Sequence, residues 1–232
     1  KINSFDFDYS SFIFAIKAIS NLTEHYKNKI GTQTYHGVYR IICKSIDDEL
    51  GMSHSLIYYK KYLNSFLCAP NEFASIIDST ITLYTDYLIH LINLEEYEKC
   101  KNAINQIRAI KPLLSHVDQQ KIEYNANRCL LMIYNRTDNV DEGIILANKN
   151  IKILNDKDLP KKYREKNSYS AKRAIGNIYF YSSIAYKMKD NIVESWLDSY
   201  KSYISNNGFS DKDKFSDQPK VAAFAKGLAA MI

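Results

Sequence analysis

Histidine, cysteine and clustered carboxylates are the side chains best suited to chemistry in this chain, and their spacing decides which chemistry is open. A metal site needs ligands that converge, such as two His one helical turn apart or a CxxC pair. His25, His36, His54, His90 and His116 have no His four residues on, and Cys43, Cys68, Cys100 and Cys129 form no CxxC. Nucleophilic catalysis needs a Ser or Cys beside a base and an orienting group, and neither a GxSxG elbow nor a glycine-rich phosphate loop occurs. Asp47-Asp48-Glu49 and Glu95-Glu96 read as solvated turn carboxylates, favourable at the N-terminus of the helix that follows. The expectation is no catalytic residue, no metal site and no cofactor.

The elements that would position such residues are helical. The 232 residues include only 7 Gly and 4 Pro, too few for an all-β chain that turns every ten residues or so. Hydrophobic content of 46% with 25% charged residues is that of a soluble globular protein with a sizeable core. Nineteen Tyr and ten Phe supply its bulk. A net charge of +5 is too mild for a nucleic-acid-binding signature. No run approaches the roughly 18 apolar residues of a membrane helix. Cys43, Cys100 and Cys129 fall on or beside apolar stripes, as buried reduced thiols would, and the expected location is cytoplasmic. The chain opens on Lys1 rather than Met, which reads as a processed or excised piece.

Residues 83–112 show the pattern that recurs. Tyr84, Tyr87, Leu88 and Leu91 form one apolar stripe at helical spacing. After Asn93-Leu94-Glu95-Glu96 a second stripe runs through Tyr97, Cys100, Ile104 and Ile107 until Pro112 stops it. Two amphipathic helices on so short a link lie back to back as an antiparallel hairpin. The same phasing returns upstream in Tyr39, Ile42, Cys43 and Ile46, then Met52, Ser55, Tyr59 and Tyr62. Downstream it returns in Asn127, Leu130, Leu131 and Tyr134, then Val140, Gly143, Ala147 and Ile151. A fourth copy has Tyr179, Ser182, Ser183 and Tyr186, then Ile192, Ser195, Ser199 and Tyr203. From Tyr39 to Met52, Tyr84 to Tyr97, Asn127 to Val140 and Tyr179 to Ile192 the distance is 13 residues each time. The predicted elements are a leading helix over 10–30, hairpins over 36–69, 72–112, 115–156 and 160–205, and a trailing helix over 219–232, all in a single domain 1–232. Ser115 and Asp118 mark a helix start, and Pro160 suits a first helical turn.

These units resemble tetratricopeptide repeats, helix-turn-helix hairpins that stack into a superhelix. Tyr84, Tyr87, Leu88 and Leu91, then Tyr97, Cys100, Ile104, Ile107 and Pro112 carry the likeness, with 55–63 similar to a typical second helix. The resemblance implies an all-α solenoid. Leu88 and Leu131 are large where the motif has a small residue, and the units recur every 45, 43 and 52 residues, longer than the usual repeat. Long-helix variants of this kind resemble the sensor regions of bacterial regulators.

In stacked hairpins the first helices line the concave face, and residues beside the packing stripe point into it. On that basis Arg40 and Lys44, then Thr85, Ile89 and Asn93, then Asn125, Arg128, Met132, Asn135 and Arg136, then Asn177, Phe180, Ile184 and Lys187 line a groove. Amides would hold backbone groups of an extended peptide, Arg would fork onto carboxylates, and Phe and Ile would take side chains. The expected function is non-catalytic capture of a peptide or partner protein by the sensor or adaptor part of a larger regulator. One rival is a scaffold that self-associates as a homodimer through its end helices. Another is a transcription regulator reading DNA with a helix-turn-helix at 46–63, against which Asp47 stands at a helix contact that wants a small apolar residue. Lys157, Lys161, Lys162, Arg164, Lys166, Lys172 and Arg173 read as the solvated face of a long helix, in preference to a site for an acidic partner.

Overall fold

The computed structural model describes residues 8–137 and 139–167, and both apolar stripes of the hairpin expected over 160–205, with the trailing helix over 219–232, lie outside them. All regular structure among the described residues is helical, with no strand. The chain divides into two compact units, 1–119 and 120–232, with the boundary inside one helix.

The first unit begins with α1 (Tyr9–His25), capped by Asp8, whose carboxylate accepts from Ser10 N at 3.0 Å. The sequence reading runs this helix through to residue 30. Instead the chain leaves helical geometry at Tyr26 (φ −100°, ψ 9°), and α2 (Lys27–Leu50) begins one residue later. Gly31 does interrupt the helix, at φ 71° and ψ 154°, but only between a first turn and the rest of α2. No glycine or proline marks Tyr26. It sits between His25, whose ring meets its own edge-on at 4.7 Å, and Lys29, whose ammonium lies over the ring at 5.5 Å.

Gly51 alone joins α2 to α3 (Met52–Cys68). Its φ of 82° and ψ of 170° belong to a region essentially reserved for glycine. A Cβ there would meet nothing within 4 Å, so the strain is all backbone. Gly51→Ala should therefore lower stability by about 1–3 kcal/mol, read as a shift in urea midpoint; an unchanged midpoint would contradict that geometry.

After α3 the chain makes a 3-10 segment, Pro70–Ile76, before α4 (Ile77–Asn93), so the helix expected from residue 72 starts later. Leu94–Glu96 turns into α5 (Tyr97–Ile110), with Glu95 at φ 60°. Pro112 then lies in a short 3-10 turn, Lys111–Leu113. Each helix of this unit packs on the next, and α3 also packs on α5. Links this short make neighbouring helices antiparallel, which leaves α2 and α4 running the same way.

The stripes are the core. Tyr39, Ile42, Cys43 and Ile46 of α2, Ser55, Tyr59 and Tyr62 of α3, Tyr84, Leu88 and Leu91 of α4, and Cys100, Ile104 and Ile107 of α5 are all buried. Met52 departs from its stripe at 40% exposure, because it is the first residue after the turn, and Tyr87 and Tyr97 are only half-buried.

In α6 (His116–Arg136), Ser115 caps the helix by accepting from Asp118 N at 3.2 Å. The second unit takes over within this helix and continues into α7 (Val140–Leu154). Tyr124 and Leu154 are buried there, with Ile151, Ile153 and Tyr163 packed against them. Residues 161–167 are helical, opened by Arg164 N donating to Pro160 O at 3.1 Å. Asn127 and Asn150 lie in this interior, and Asn150 Nδ2 donates to Tyr124 O at 3.3 Å. Cys43, Cys100 and Cys129 are buried and Cys68 is exposed, and none of the four is in a disulfide. Burial pushes the Cys100 thiol up to about 12. No helix among the described residues is long and apolar enough to cross a membrane.

Candidate functional site

The parallel pair α2 and α4 encloses a cleft of about 370 Å³ floored by Tyr59 of α3. From α2 come Arg40, Lys44, Asp47 and Asp48, spaced by successive helical turns; from α4 come Ser79, Thr82, Leu83, Asp86 and His90. Hydroxyl and apolar groups therefore face the Arg40 end, while carboxylates gather towards the helix C-termini.

Asp47 ties the three helices together. Its Oδ2 accepts from Tyr59 OH at 3.0 Å and from His90 Nε2 at 2.9 Å. The Tyr59 and His90 rings meet edge-on at 5.2 Å. Burial, with the Asp47 carboxylate adding negative charge, holds the Tyr59 phenol far above its usual range. Asp47 is thus not the solvated turn carboxylate that the sequence suggests, whereas Asp48 and Glu49 are exposed. The physical reason is position: Asp47 follows Cys43 by one turn on the packed side of α2. Asp47→Ala would strand the Tyr59 hydroxyl and the His90 N–H, lowering stability by about 3 kcal/mol. Asp47→Asn, which keeps one acceptor oxygen, should lose less; equal thermal midpoints for all three proteins would show the contact idle.

The Asp47–His90 pair resembles a base with its orienter. The other ring nitrogen, His90 Nδ1, is buried and has no hydrogen-bond partner among the described residues. The hydroxyl of Thr82 is turned to its own helix, donating to Asp78 O at 2.9 Å.

A second polar network lies behind the cleft. Glu24 Oε1 accepts from Tyr35 OH at 2.8 Å and also from Tyr39 OH. Ser20 Oγ meets Tyr39 OH and the Lys61 ammonium, each at 3.2 Å. Ser, Lys and Tyr are a nucleophile set in other settings, yet Ser20 is only 1% exposed and no substrate could reach it. Tyr62 OH joins His36 Nδ1 at 2.7 Å and Thr80 Oγ1 at 2.8 Å. Burial, and secondarily Arg40, lowers the affinity of His36 for a proton. These groups are a hydrogen-bonded core. A second hollow of about 300 Å³ lies at the Gly31 break, between Lys27, Asn28, Thr32, Tyr35, Glu72 and Phe73.

The residues singled out from sequence fall in several places. Arg40 and Lys44 are exposed on the α2 wall of the cleft. Ile89 is half-buried and Asn93 exposed on α4, Asn93 Nδ2 lying 3.8 Å from Met52 Sδ, and neither lines the cleft. Thr85 is buried and donates to Ile81 O at 2.8 Å. Asn125 is buried in the second unit, its amide given to Lys121 O at 2.8 Å and Tyr163 OH at 3.2 Å. Arg128 and Met132 are half-buried and Arg136 exposed on α6. The side chain of Asn135, and the whole of Asn177, Phe180, Ile184 and Lys187, lie outside the described residues.

Sequence reasoning missed Asp47, Asp86 and His90. One signal was present: a carboxylate at a helix-contact position must find donors across the contact. Compared with known proteins, the chain matches no family model, no curated protein and no solved structure.

Proposed function

We propose that the chain is a tetratricopeptide-like α-solenoid that binds an extended peptide or partner segment without catalysis, as the sensor or adaptor part of a larger regulator. The support is the cleft between parallel helices α2 and α4, where Arg40, Lys44 and Asp48 make no hydrogen bond or ion pair among the described residues. Charges held on rigid helices and left uncommitted are suited to a ligand. The half-buried Asp47–Tyr59–His90 tie links the walls across the cleft.

Selection of random twelve-residue peptides on the whole chain should return binders that shift the backbone NMR signals of residues 40–48 and 79–90. No binder above background, or shifts confined to other segments, would overturn the reading. One observation favours self-association as a second reading: α1 exposes Phe14 (76%), Leu22 (58%) and Ile19 on its outer side, an apolar strip of the kind used between chains. Sedimentation that stays monomeric at high concentration would remove it.

A further inference from the structure

The α2–α4 cleft has an electrical direction. Arg40 stands near Ser79, Thr82 and Leu83, which carry no charge. The contact of Asp47 with His90 sets the two parallel helices in register, so Lys44 and Asp86 fall mid-cleft, between Arg40 and Asp48. Beyond them Asp48 is exposed, close to the C-terminal ends of α2 at Leu50 and α4 at Asn93. Helix C-termini carry partial negative charge, which adds to that of Asp48. The cleft is positive at one end and negative at the other.

The length of this dipole specifies the ligand. Arg40 and Asp48 lie eight residues apart on α2, about 12 Å along the helix axis. An extended chain advances roughly 3.3 Å per residue and returns a side chain to the same face every second residue. Side chains at i and i+4 share a face and lie about 13 Å apart, the closest match. A single amino acid is too short to touch both ends.

We infer that the cleft selects an extended peptide carrying an acidic residue and a basic residue four positions apart, the acid on Arg40 and the base on Asp48. This rests on the peptide-binding reading above and names its ligand chemistry. Arg forks onto a carboxylate, and Asp48 with the helix ends receives an ammonium or guanidinium. Like-charged pairs meet repulsion at one end of the cleft, which is how such a surface rejects other segments.

The test uses the full chain and four eleven-residue peptides in one Thr/Ser/Val host, with Glu/Lys, Glu/Glu, Lys/Lys or Gln/Gln at positions 4 and 8. Fluorescence anisotropy should show Glu/Lys binding about tenfold tighter than the others, with the advantage shrinking as salt screens it. Arg40→Glu should move the preference to Lys/Lys, and Asp48→Lys to Glu/Glu. Both positions are exposed, so charge reversal leaves the fold intact. Equal binding of all four peptides, or a ranking untouched by Arg40→Glu, overturns the charge selection and leaves peptide binding standing. No binding by any of the four, the neutral one included, overturns both.

Discussion

Tyr62→Ala is expected to lower stability by about 3–5 kcal/mol, the largest loss from any single truncation in the first unit. Tyr62 is fully buried and its ring stands among four others: Tyr35 and Tyr39 at 5.9 Å, Phe73 edge-on at 5.7 Å and His36 edge-on at 5.4 Å. Removing the ring opens a cavity that helices α2, α3 and the 70–76 turn cannot close together. The hydroxyl adds a separate contribution, since His36 Nδ1 and Thr80 Oγ1 both depend on it. Tyr62→Phe isolates that part, about 1–3 kcal/mol for partners left buried without a mate. Urea unfolding of the two variants checks the division. A Phe variant as unstable as the Ala variant would mean that the hydrogen bonds, not the ring, hold the core.

Alkali should unfold the chain abruptly just above the range where exposed phenols ionise. Tyr35, Tyr39, Tyr59 and Tyr62 are each held far above their usual range, first of all by burial. Tyr35 and Tyr39 also share the Glu24 carboxylate, which disfavours a phenolate beside it. A group whose folded affinity for its proton is raised gives stability that is whole below its unfolded pKa, about 10 for Tyr, and is lost as pH rises beyond it. Each such phenol removes about 1.4 kcal/mol per pH unit, so four together remove about 6 kcal/mol over one unit, comparable with the whole stability of many domains. Phenolate absorbance and helical circular dichroism should therefore change together near pH 11. Smooth, reversible ionisation with the helices intact would contradict this account.

How much of this was legible depends on whether a feature is local. The stripes Tyr39–Ile46 and Cys100–Ile107 follow from side-chain periodicity, and the Gly51 turn from the one residue type that tolerates its backbone. The break at Tyr26 escaped because no proline or glycine signals it. Asn127 looked a poor core residue, yet it is buried; amides enter a core when partners await them, and sequence does not show partners. In the cleft, the α2 flank at Arg40 and Lys44 was reachable by counting one residue beyond the stripe. Applying that same offset to α4 led to Thr85, Ile89 and Asn93. Two helices lying side by side face each other with opposite flanks, so α4 turns Ser79, Thr82, Asp86 and His90 to the cleft instead. The Asp47–His90 contact spans 43 residues and needed the tertiary arrangement.

The unequal burial of the four thiols has a practical side. Cys43, Cys100 and Cys129 are sealed inside while Cys68 stands in solvent at the end of α3. A maleimide dye or spin label added to the native chain will attach at Cys68 alone, with no cysteine to be engineered away. Counting reactive sulfur against denaturant then reports the opening of the interior residue by residue.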